Sequence, residues 1–282
     1  MSHRLRFLRS PTGAVGFAIV AFVAGVALLG PALSPHSATA TVGAPLEGPS
    51  GAFPFGTDEL GRDVLSRVLH GGLSLLALAL ASTALAYLIG LTIGLVAGYS
   101  RGIADPLLMR SVDVLLAFPP LLFLLVLIAG VGQSQGALII GVAVIQAPSI
   151  SRVVRAATLE ISVRGYVEAA VARGERGAAV IAREVLPNIL GPVLVDAGLR
   201  FTYSILIVSS VIYLGLGLEP PSPNWALMIS ENREFISINA LSVLAPAAMI
   251  ALLTIGVNLM GDAIARSLGR SYIARGARSV TV

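Results

Sequence analysis

The sequence has 282 residues, of which 56% are hydrophobic and 12% are charged, and its mean hydropathy is +0.88. Soluble domains carry about 25% charged residues, so this composition excludes an ordinary soluble protein and predicts an all-α, polytopic membrane protein. The net charge of +4 comes from arginines clustered between apolar runs, a pattern that indicates membrane topology and excludes a nucleic-acid-binding face.

Two residue types are absent from the sequence. Without cysteine, the chain can form no disulfide, iron–sulfur cluster or thiolate metal site. All 19 basic residues are arginine, and a phosphate-binding P-loop needs a lysine. The chain is therefore not itself a Walker-type ATPase, and no cofactor is expected on it.

Six apolar runs are candidates for membrane spans, each of which needs about 20 helical residues. The first follows the basic start MSHRLRFLR, but it is too long for a signal peptide and lacks a convincing cleavage site, so we expect an uncleaved helix. The third is expected to kink at Pro119 and Pro120, and the short fourth carries Gln146 and Pro148. The predicted spans are 14–33, 73–99, 107–131, 137–149, 195–218 and 240–261.

The arginines predict the orientation, because basic loops stay in the cytoplasm. With the amino terminus inside, 16 arginines fall on the inner side and only Arg62, Arg67 and Arg233 on the outer side. We therefore expect both termini in the cytoplasm, and the loops 34–72 and 219–239 on the outer side of the membrane.

A glycine stripe in the second span predicts close helix packing. Gly90, Gly94 and Gly98 recur at every fourth position, so one helix face is bare backbone that a neighbouring helix can approach. The alternative is that glycines are simply common in membrane helices.

The stretch FGTDELGRDVLSRVLHGG, just before that span, has the pattern of a short amphipathic helix lying flat at the outer interface. A plain solvated loop is the alternative. Its apolar side would hold Leu60, Val64, Leu65, Val68 and Leu69, and its polar side Arg62, Asp63, Ser66 and Arg67.

A polar segment interrupts the apolar chain between the fourth and fifth spans. It reads GYVEAAVARGERGAAVIAREVLPN, residues 165–188, and we call it the elbow. Two helical stripes predict two short helices with a bend at Gly174 and Gly177, the second ending before Pro187. Small residues let another protein approach closely, so we expect a docking element of the helix-in-groove type. The stripes comprise Val167, Ala170, Val171 and Gly174, and then Ala178, Ile181, Ala182 and Val185.

The elbow resembles the cytoplasmic signature of ABC-importer permease subunits, in which E-A-A is followed by a glycine and then by Leu-Pro. Further stretches resemble the C-type permeases of dipeptide, oligopeptide and nickel importers: FGTDELGRDVLSR, AGYSRGIADPLLMRSVDVLLAFPPLL, YLGLGLEPPSPNWALMI and NLMGDAIARSLGR. They occur in family order, and the region from the first to the last extends over about four-fifths of the chain. The matching ATPase-coupling residues are Tyr166, Glu168, Ala169, Ala170, Arg173, Gly174, Leu186 and Pro187.

The resemblance implies a MetI-like permease fold and a transport function in the cytoplasmic membrane of a bacterial or archaeal cell. A sibling permease would complete the translocation path, two cytoplasmic ATPases holding ATP and magnesium would bind the elbow, and an extracytoplasmic solute-binding protein would deliver cargo. Peptides are the expected cargo, with nickel, glutathione and short glycans as alternatives. The expected organisation is a cytoplasmic segment 1–13, a permease domain 14–268 with its coupling loop at about 150–194, and a cytoplasmic tail 269–282.

The chain departs from the family pattern near the elbow. Ser162 and Val163 replace charges that usually precede the motif, Gly165 loosens the start of the helix, and Glu184 occupies a position that is usually apolar or histidine.

Two other functional classes compete with a permease. GYSRG fits the nucleophile pattern of a serine hydrolase at Ser100, but the context is the end of a membrane helix rather than a strand-to-helix turn. A stand-alone secondary transporter would need an inverted repeat and central ionisable groups, and the sequence offers neither. No histidine pair has metal-ligand spacing.

Several polar residues within or near the spans have structural or pathway interpretations. Helical ion pairs are predicted for Asp113 with Arg110, Asp196 with Arg200 and Asp262 with Arg266. Weak candidates for the transport pathway, each more typical of a helix-to-helix hydrogen bond or an interface anchor, are Gln146, Asn258, Ser204, Ser209, Ser210 and Trp225.

Overall fold

A computed structural model of the protein describes the backbone of residues 10–100 and 102–278 and, within these, the side chains as far as residue 267. The predicted terminal segments 1–13 and 269–282 therefore lie partly outside the described residues. The described chain is helical and contains no named strand. Its helices are α1 (Pro11–Leu33), α2 (Val64–Tyr99), α3 (Ala104–Leu116), α4 (Pro120–Val131), α5 (Gln135–Ser162), α6 (Gly165–Ala172), α7 (Gly177–Tyr213), α8 (Trp225–Asn232) and α9 (Leu241–Arg278).

Five of these helices are long and apolar enough to span a membrane: α1, α2, α5, α7 and α9. The pair α3 and α4 meets the same test only together, and it is bent by 89°. The kink expected at Pro119 and Pro120 is thus a right-angle turn, and Pro120 opens α4 at a position where its fixed φ suits a first helical turn. With 12 residues, α4 is about 18 Å long, shorter than the hydrocarbon core.

The predicted fourth span is wrong in length, because α5 continues to Ser162 rather than stopping near residue 149. Its second half packs on the glycine stripe of α2. A Cβ atom added to Gly94 would lie 2.6 Å from Val154 Cβ, and one added to Gly98 would lie 2.6 Å from Thr158 Cβ. The predicted close packing is therefore confirmed. This contact stabilises the second half of α5, which contains its arginines, as a helix.

The flat outer helix predicted before the second span is also wrong. Residues 55–63 form a loop, and α2 begins directly at Val64 with Asp63 as its N-cap, whose Oδ2 accepts from Ser66 N at 3.1 Å. Arg62 and Arg67, expected on a solvated face, are 1% and 0% exposed. The amphipathic pattern was misleading because both arginines pair with buried carboxylates and do not face solvent.

Those partners complete a buried cluster of Asp58, Arg62, Arg67 and Glu231, which we call the charge quartet. Asp58 Oδ2 accepts from Arg62 Nε and from Arg67 Nη1, both at 2.6 Å. Glu231 Oε2 lies 3.2 Å from Arg62 Nη2 and 2.8 Å from Arg67 Nη1. Burial raises the pKa of the neighbouring Glu59, and the charges of Glu231 and Asp58 raise it further. The quartet joins the start of α2 to α8.

Trp225 holds the same two elements together. Its side chain is fully buried, and its indole Nε1 donates to Val68 O at 2.7 Å. A Cβ on Gly71 or Gly72 would come within 2.7 Å of the Trp225 ring. Trp225 therefore makes a hydrogen bond between elements and is not an anchor at the membrane surface.

Candidate functional site

The elbow folds as α6, a tight turn and the first turns of α7. Val167 and Ala170 of α6 and Val180 of α7 are each at most 1% exposed. They pack together against Tyr99 and Ile161 at the ends of α2 and α5. The elbow is thus fixed to the bundle by an apolar core of its own.

The turn of the elbow depends on Gly174. Its φ of +79° lies in the region that favours glycine, and its N–H donates to Val171 O at 2.9 Å. An added Cβ would meet no atom within 4 Å, so the backbone conformation, not space, requires glycine here. The predicted bend is confirmed, and Gly177 follows it with its Cβ position 3.3 Å from the Tyr99 ring.

The second helix does not end at Pro187, and that prediction was wrong. Residues Ile181–Val185 form a π-helical turn in which Leu186 N donates to Ile181 O. Proline lacks an N–H group and crowds the preceding turn, and the wider π turn directly before it accommodates both effects. The helix therefore continues without a break to Tyr213.

The predicted coupling residues separate into a surface set and a packing set. Ala170 is fully buried and Leu186 is half-buried, so both stabilise the elbow rather than present a surface. The exposed members are Tyr166, Glu168, Ala169, Arg173, Gly174 and Pro187. The exposed members form a continuous run only on α6 and its turn.

A groove of about 630 Å³ lies beside α6 and is lined by Glu168 and Ser100, among others. Ser162, one of the departures from the family pattern, also lines it and donates to Thr158 O at 2.7 Å. Glu184, another departure, is half-buried within the π turn. Val163 caps the end of α5 and Gly165 begins α6, which is nonetheless a helix of 8 residues.

Ser100 lacks the partners that a nucleophile requires. Within the described residues its hydroxyl makes no hydrogen bond to a histidine or carboxylate. His36 contacts Asp63 at 3.3 Å and His70 contacts Ser66 O at 2.8 Å, both near the start of α2, at the opposite end of that helix from Ser100. The described part of the chain also holds no group of three potential metal ligands.

The predicted ion pairs have three different outcomes. Asp196 accepts from Arg200 Nε at 3.2 Å, as predicted. Asp113 pairs with Arg152 at 2.6 Å instead of with Arg110, because α3 packs beside α5. Arg266 donates to the Thr12 hydroxyl at 2.8 Å, and no ion pair joins it to Asp262 among the described side chains.

A further ion pair, Asp105 with Arg155, was missed because its partners are 50 residues apart in sequence. Asp105 of α3 accepts from Arg155 Nε and Nη2 of α5, at 2.5 and 2.6 Å. This bidentate contact fixes the bent α3–α4 pair to α5, and no local pattern could have indicated it.

The predicted pathway residues fall into two groups. Gln146 Nε2 donates to Ser204 Oγ at 2.6 Å, Ser204 contacts Thr83 at 2.6 Å, and all three are at least 92% buried. Asn258 Oδ1 accepts from Thr202 at 3.3 Å. These contacts join neighbouring helices, which is the structural interpretation of these side chains that the sequence also offered.

Ser209 and Ser210 instead line a separate cavity between α7, α8 and α9, which we call the span groove. Its volume is about 620 Å³. Most of its walls are apolar, and Ser209 Oγ has no hydrogen-bond partner although it is buried. The α7 side of this groove is the far end of the helix that starts in the elbow.

Comparison with protein families places the chain among membrane transport components. Residues 90–272 match the model of binding-protein-dependent transport system inner membrane components. Residues 3–49 match the N-terminal transmembrane domain of oligopeptide transport permease C. The two matches together include α1, most of the spans and the whole elbow.

Curated relatives agree with the family models. A dipeptide transport system permease protein, DppC of Alkalihalophilus pseudofirmus, is 34% identical over 90% of this chain and 84% of its own length. The di/tripeptide permease DppC of Pseudomonas aeruginosa is 37% identical over 79% of this chain and 74% of its own. The glutathione permease GsiD of Pectobacterium atrosepticum is 36% identical over 79% and 74%.

A solved structure of the MetNI methionine ABC transporter in an inward-facing conformation shares the fold, with a TM-score of 0.58 and 22% identity over 73% of this chain and 96% of that one. The predicted MetI-like fold is thereby confirmed. The relatives are non-catalytic transport subunits, which agrees with the lysine-free sequence. The chain belongs to the inner-membrane permease components of binding-protein-dependent ABC importers, in their dipeptide and oligopeptide permease branch.

Proposed function

We propose that this chain forms half of the translocation path of an ATP-driven importer for di- and oligopeptides, with a sibling permease forming the other half. The elbow binds cytoplasmic ATPases, which hold ATP and magnesium, and a solute-binding protein delivers peptide at the opposite end. In this arrangement both termini are cytoplasmic. The names of the similar permeases support the peptide class.

The observation that carries the proposal is the construction of the elbow. Its exposed α6 surface is fixed to α2 and α5 by a buried core, and its second half is the start of α7, a helix of 37 residues. At 1.5 Å per residue such a helix is about 55 Å long. A force applied to α6 by a closing ATPase pair therefore reaches the far end of α7 directly, as rigid-body alternating access requires.

Glutathione is the second candidate cargo, because the identity of the permease GsiD to this chain, 36%, lies between those of the two peptide permeases. Glutathione is itself a tripeptide with free carboxylates. Uptake of labelled dipeptide and of labelled glutathione by the same vesicles decides between the two.

The coupling role is tested by Gly174→Asp and Glu168→Lys in the assembled complex. Aspartate is among the non-glycine residues that best tolerate positive φ, and no atom lies within 4 Å of the new Cβ. We therefore expect Gly174→Asp to insert and fold but to lose the ATPases, and uptake should fall at least tenfold. Glu168→Lys, which reverses an exposed charge on α6, should do the same.

Gly215→Asp is the matched control. Gly215 also has positive φ, at +85°, and open space around it, but it follows α7 at the end opposite to the elbow. Gly215→Asp should keep the ATPases bound during purification. Normal uptake by Gly174→Asp would contradict the coupling role.

A further inference from the structure

The ion pair of Asp196 and Arg200 lies in the middle of the membrane. Along α2, Gly71, which packs on α8, and Gly98, which packs on α5, are about 40 Å apart at 1.5 Å per residue. Tyr87, whose hydroxyl contacts Asp196, lies about 24 Å from Gly71 and about 16 Å from Gly98. Arg200 is one helical turn of α7 nearer the level of Gly71, which is about 6 Å. Because the hydrocarbon core is about 30 Å thick, the pair lies near its centre.

The position of this ion pair is fixed by contacts between α2 and α7. Tyr87 Oη donates to Asp196 Oδ2 at 2.7 Å, and Arg200 Nε lies 3.2 Å from Asp196 Oδ1 and 3.3 Å from Oδ2. One turn farther along α7, Ser204 contacts Thr83 of α2 at 2.6 Å. Asp196 therefore occupies only the Nε side of the guanidinium, and the helix that carries both charges is held against α2.

The two Nη nitrogens of Arg200 are open to a further partner. They make no hydrogen bond within the described part of the chain, and neither is fully buried. The side chain is 24% exposed. Its neighbours Leu199 and Tyr203 are 55% and 37% exposed, so no described helix covers this face of α7. An arginine at this depth faces protein or a water-filled cavity, because hydrocarbon does not solvate its charge.

We propose that the Nη nitrogens of Arg200 bind the carboxylate of the peptide cargo as the cargo passes the middle of the membrane. This inference rests on the proposed function, in which this chain lines half of the path. A guanidinium binds a carboxylate through two parallel hydrogen bonds, and a carboxylate without such a partner meets a high barrier at this depth. Arg200 lies on α7, the helix that starts in the elbow, so movement of the elbow would carry this binding group with it.

The charge balance favours the cargo over a carboxylate of the sibling permease. Asp196 and Arg200 are together neutral. A permanent carboxylate from the sibling would add an uncompensated negative charge in a medium of low dielectric constant. A peptide carries an ammonium group as well as a carboxylate, so its passage adds no net charge.

The first experiment uses the complete importer in vesicles, with tritiated dialanine supplied by the solute-binding protein. The double variant Asp196→Asn with Arg200→Gln replaces the ion pair by a neutral pair that can still form hydrogen bonds within α7 and with Tyr87. Arg266→Gln, which removes an exposed arginine of α9, is the matched control. Uptake is measured together with the ATPase rate that the loaded binding protein stimulates, which reports assembly and coupling separately from passage.

We expect the double variant to keep its stimulated ATP hydrolysis but to take up dialanine about tenfold more slowly, because the cargo carboxylate loses its charge-assisted hydrogen bonds. Arg266→Gln should transport normally. A purely structural ion pair predicts a different result, since the neutral pair would satisfy the same helix contacts and uptake would be normal.

A second experiment tests whether this position faces the path. The natural chain contains no cysteine, so Arg200→Cys, assembled with cysteine-free partner subunits, provides a single thiol. Methanethiosulfonate ethylammonium reacts with thiolates in water and adds a positive charge through a mixed disulfide. We expect this reagent to restore uptake, its neutral methyl analogue not to restore it, and dialanine to slow the reaction.

Three results would overturn the inference while leaving the proposed function intact. They are normal uptake by the double variant, a thiol at position 200 that no aqueous reagent reaches during turnover, and failure of both variants to assemble, which would assign the ion pair to folding alone. If the unmodified complex takes up no dialanine, the peptide assignment itself fails, and this inference fails with it.

Discussion

At the scale of single residues, the charge quartet shows how buried ions replace the solvated helix face that the sequence suggested. Asp58 accepts from both arginines and from the backbone N–H groups of Leu60 and Arg62. Four charges that cancel cost less to bury than one, but each depends on the others. The quartet is therefore a specific lock between α2 and α8 rather than a source of net stability.

Because its members depend on one another, the charge quartet predicts a large loss of stability when one member is removed. Glu231→Ala leaves Arg62 and Arg67 with a single shared carboxylate, and we expect a loss of about 3 kcal/mol in unfolding free energy, typical of a broken buried pair. Glu234→Ala, three residues away and exposed, should change stability by less than about 0.5 kcal/mol. Thermal unfolding of the purified protein in detergent measures both, and equal midpoints would contradict the assignment.

Residue-scale contacts of this kind were beyond sequence reasoning. Glu231 is 169 residues from Arg62, and Asp105 is 50 residues from Arg155, so no periodicity links them. Asp196 with Arg200 was predictable because both lie four residues apart on one helix. The residues around Arg62 do show an amphipathic pattern. The charged residues of that pattern are buried with one another and do not form a solvated helix face.

At the scale of elements, the glycine stripe fixes the distance between α2 and α5. The spacing of one glycine at every fourth position was visible in the sequence. The structure shows that α5 is the helix that packs against these glycines. The ends of helices were predicted less well, because charges suggested the end of α5 and a proline suggested the end of the elbow. Packing against the glycine stripe extends α5 beyond its predicted end, and the π turn before Pro187 lets α7 continue beyond its predicted end.

The stripe predicts opposite outcomes for two identical substitutions. Gly94→Ala places a Cβ 2.6 Å from Val154 Cβ and 2.7 Å from Ser151 O, so we expect a loss of about 1–3 kcal/mol from overpacking. Gly25→Ala, in α1, meets nothing within 4 Å and should be neutral or stabilising by up to about 1 kcal/mol. Unfolding midpoints of the two variants test this, and a Gly94→Ala protein as stable as Gly25→Ala would refute the close contact.

At the scale of the whole molecule, one helix connects the elbow to the span groove at the opposite end of that helix. α7 begins beside the exposed surface of α6 and ends at the span groove, while α8 is fixed to α2 at the other side of that groove. The family, the fold and the position of the elbow could be recognised from sequence motifs. The continuity of α7 could not, because Pro187 indicates the end of a helix until the π turn directly before it is seen.

The central claim is that the elbow is the surface on which partner ATPases act. The natural chain contains no cysteine, so Ala169→Cys, on the exposed face of α6, provides a single reactive site in the assembled importer. We predict that a short thiol crosslinker joins this site to an ATPase subunit, and that a membrane-impermeant maleimide applied from outside intact cells does not label it. Labelling from outside, or no ATPase crosslink in a complex that transports normally, would contradict the account.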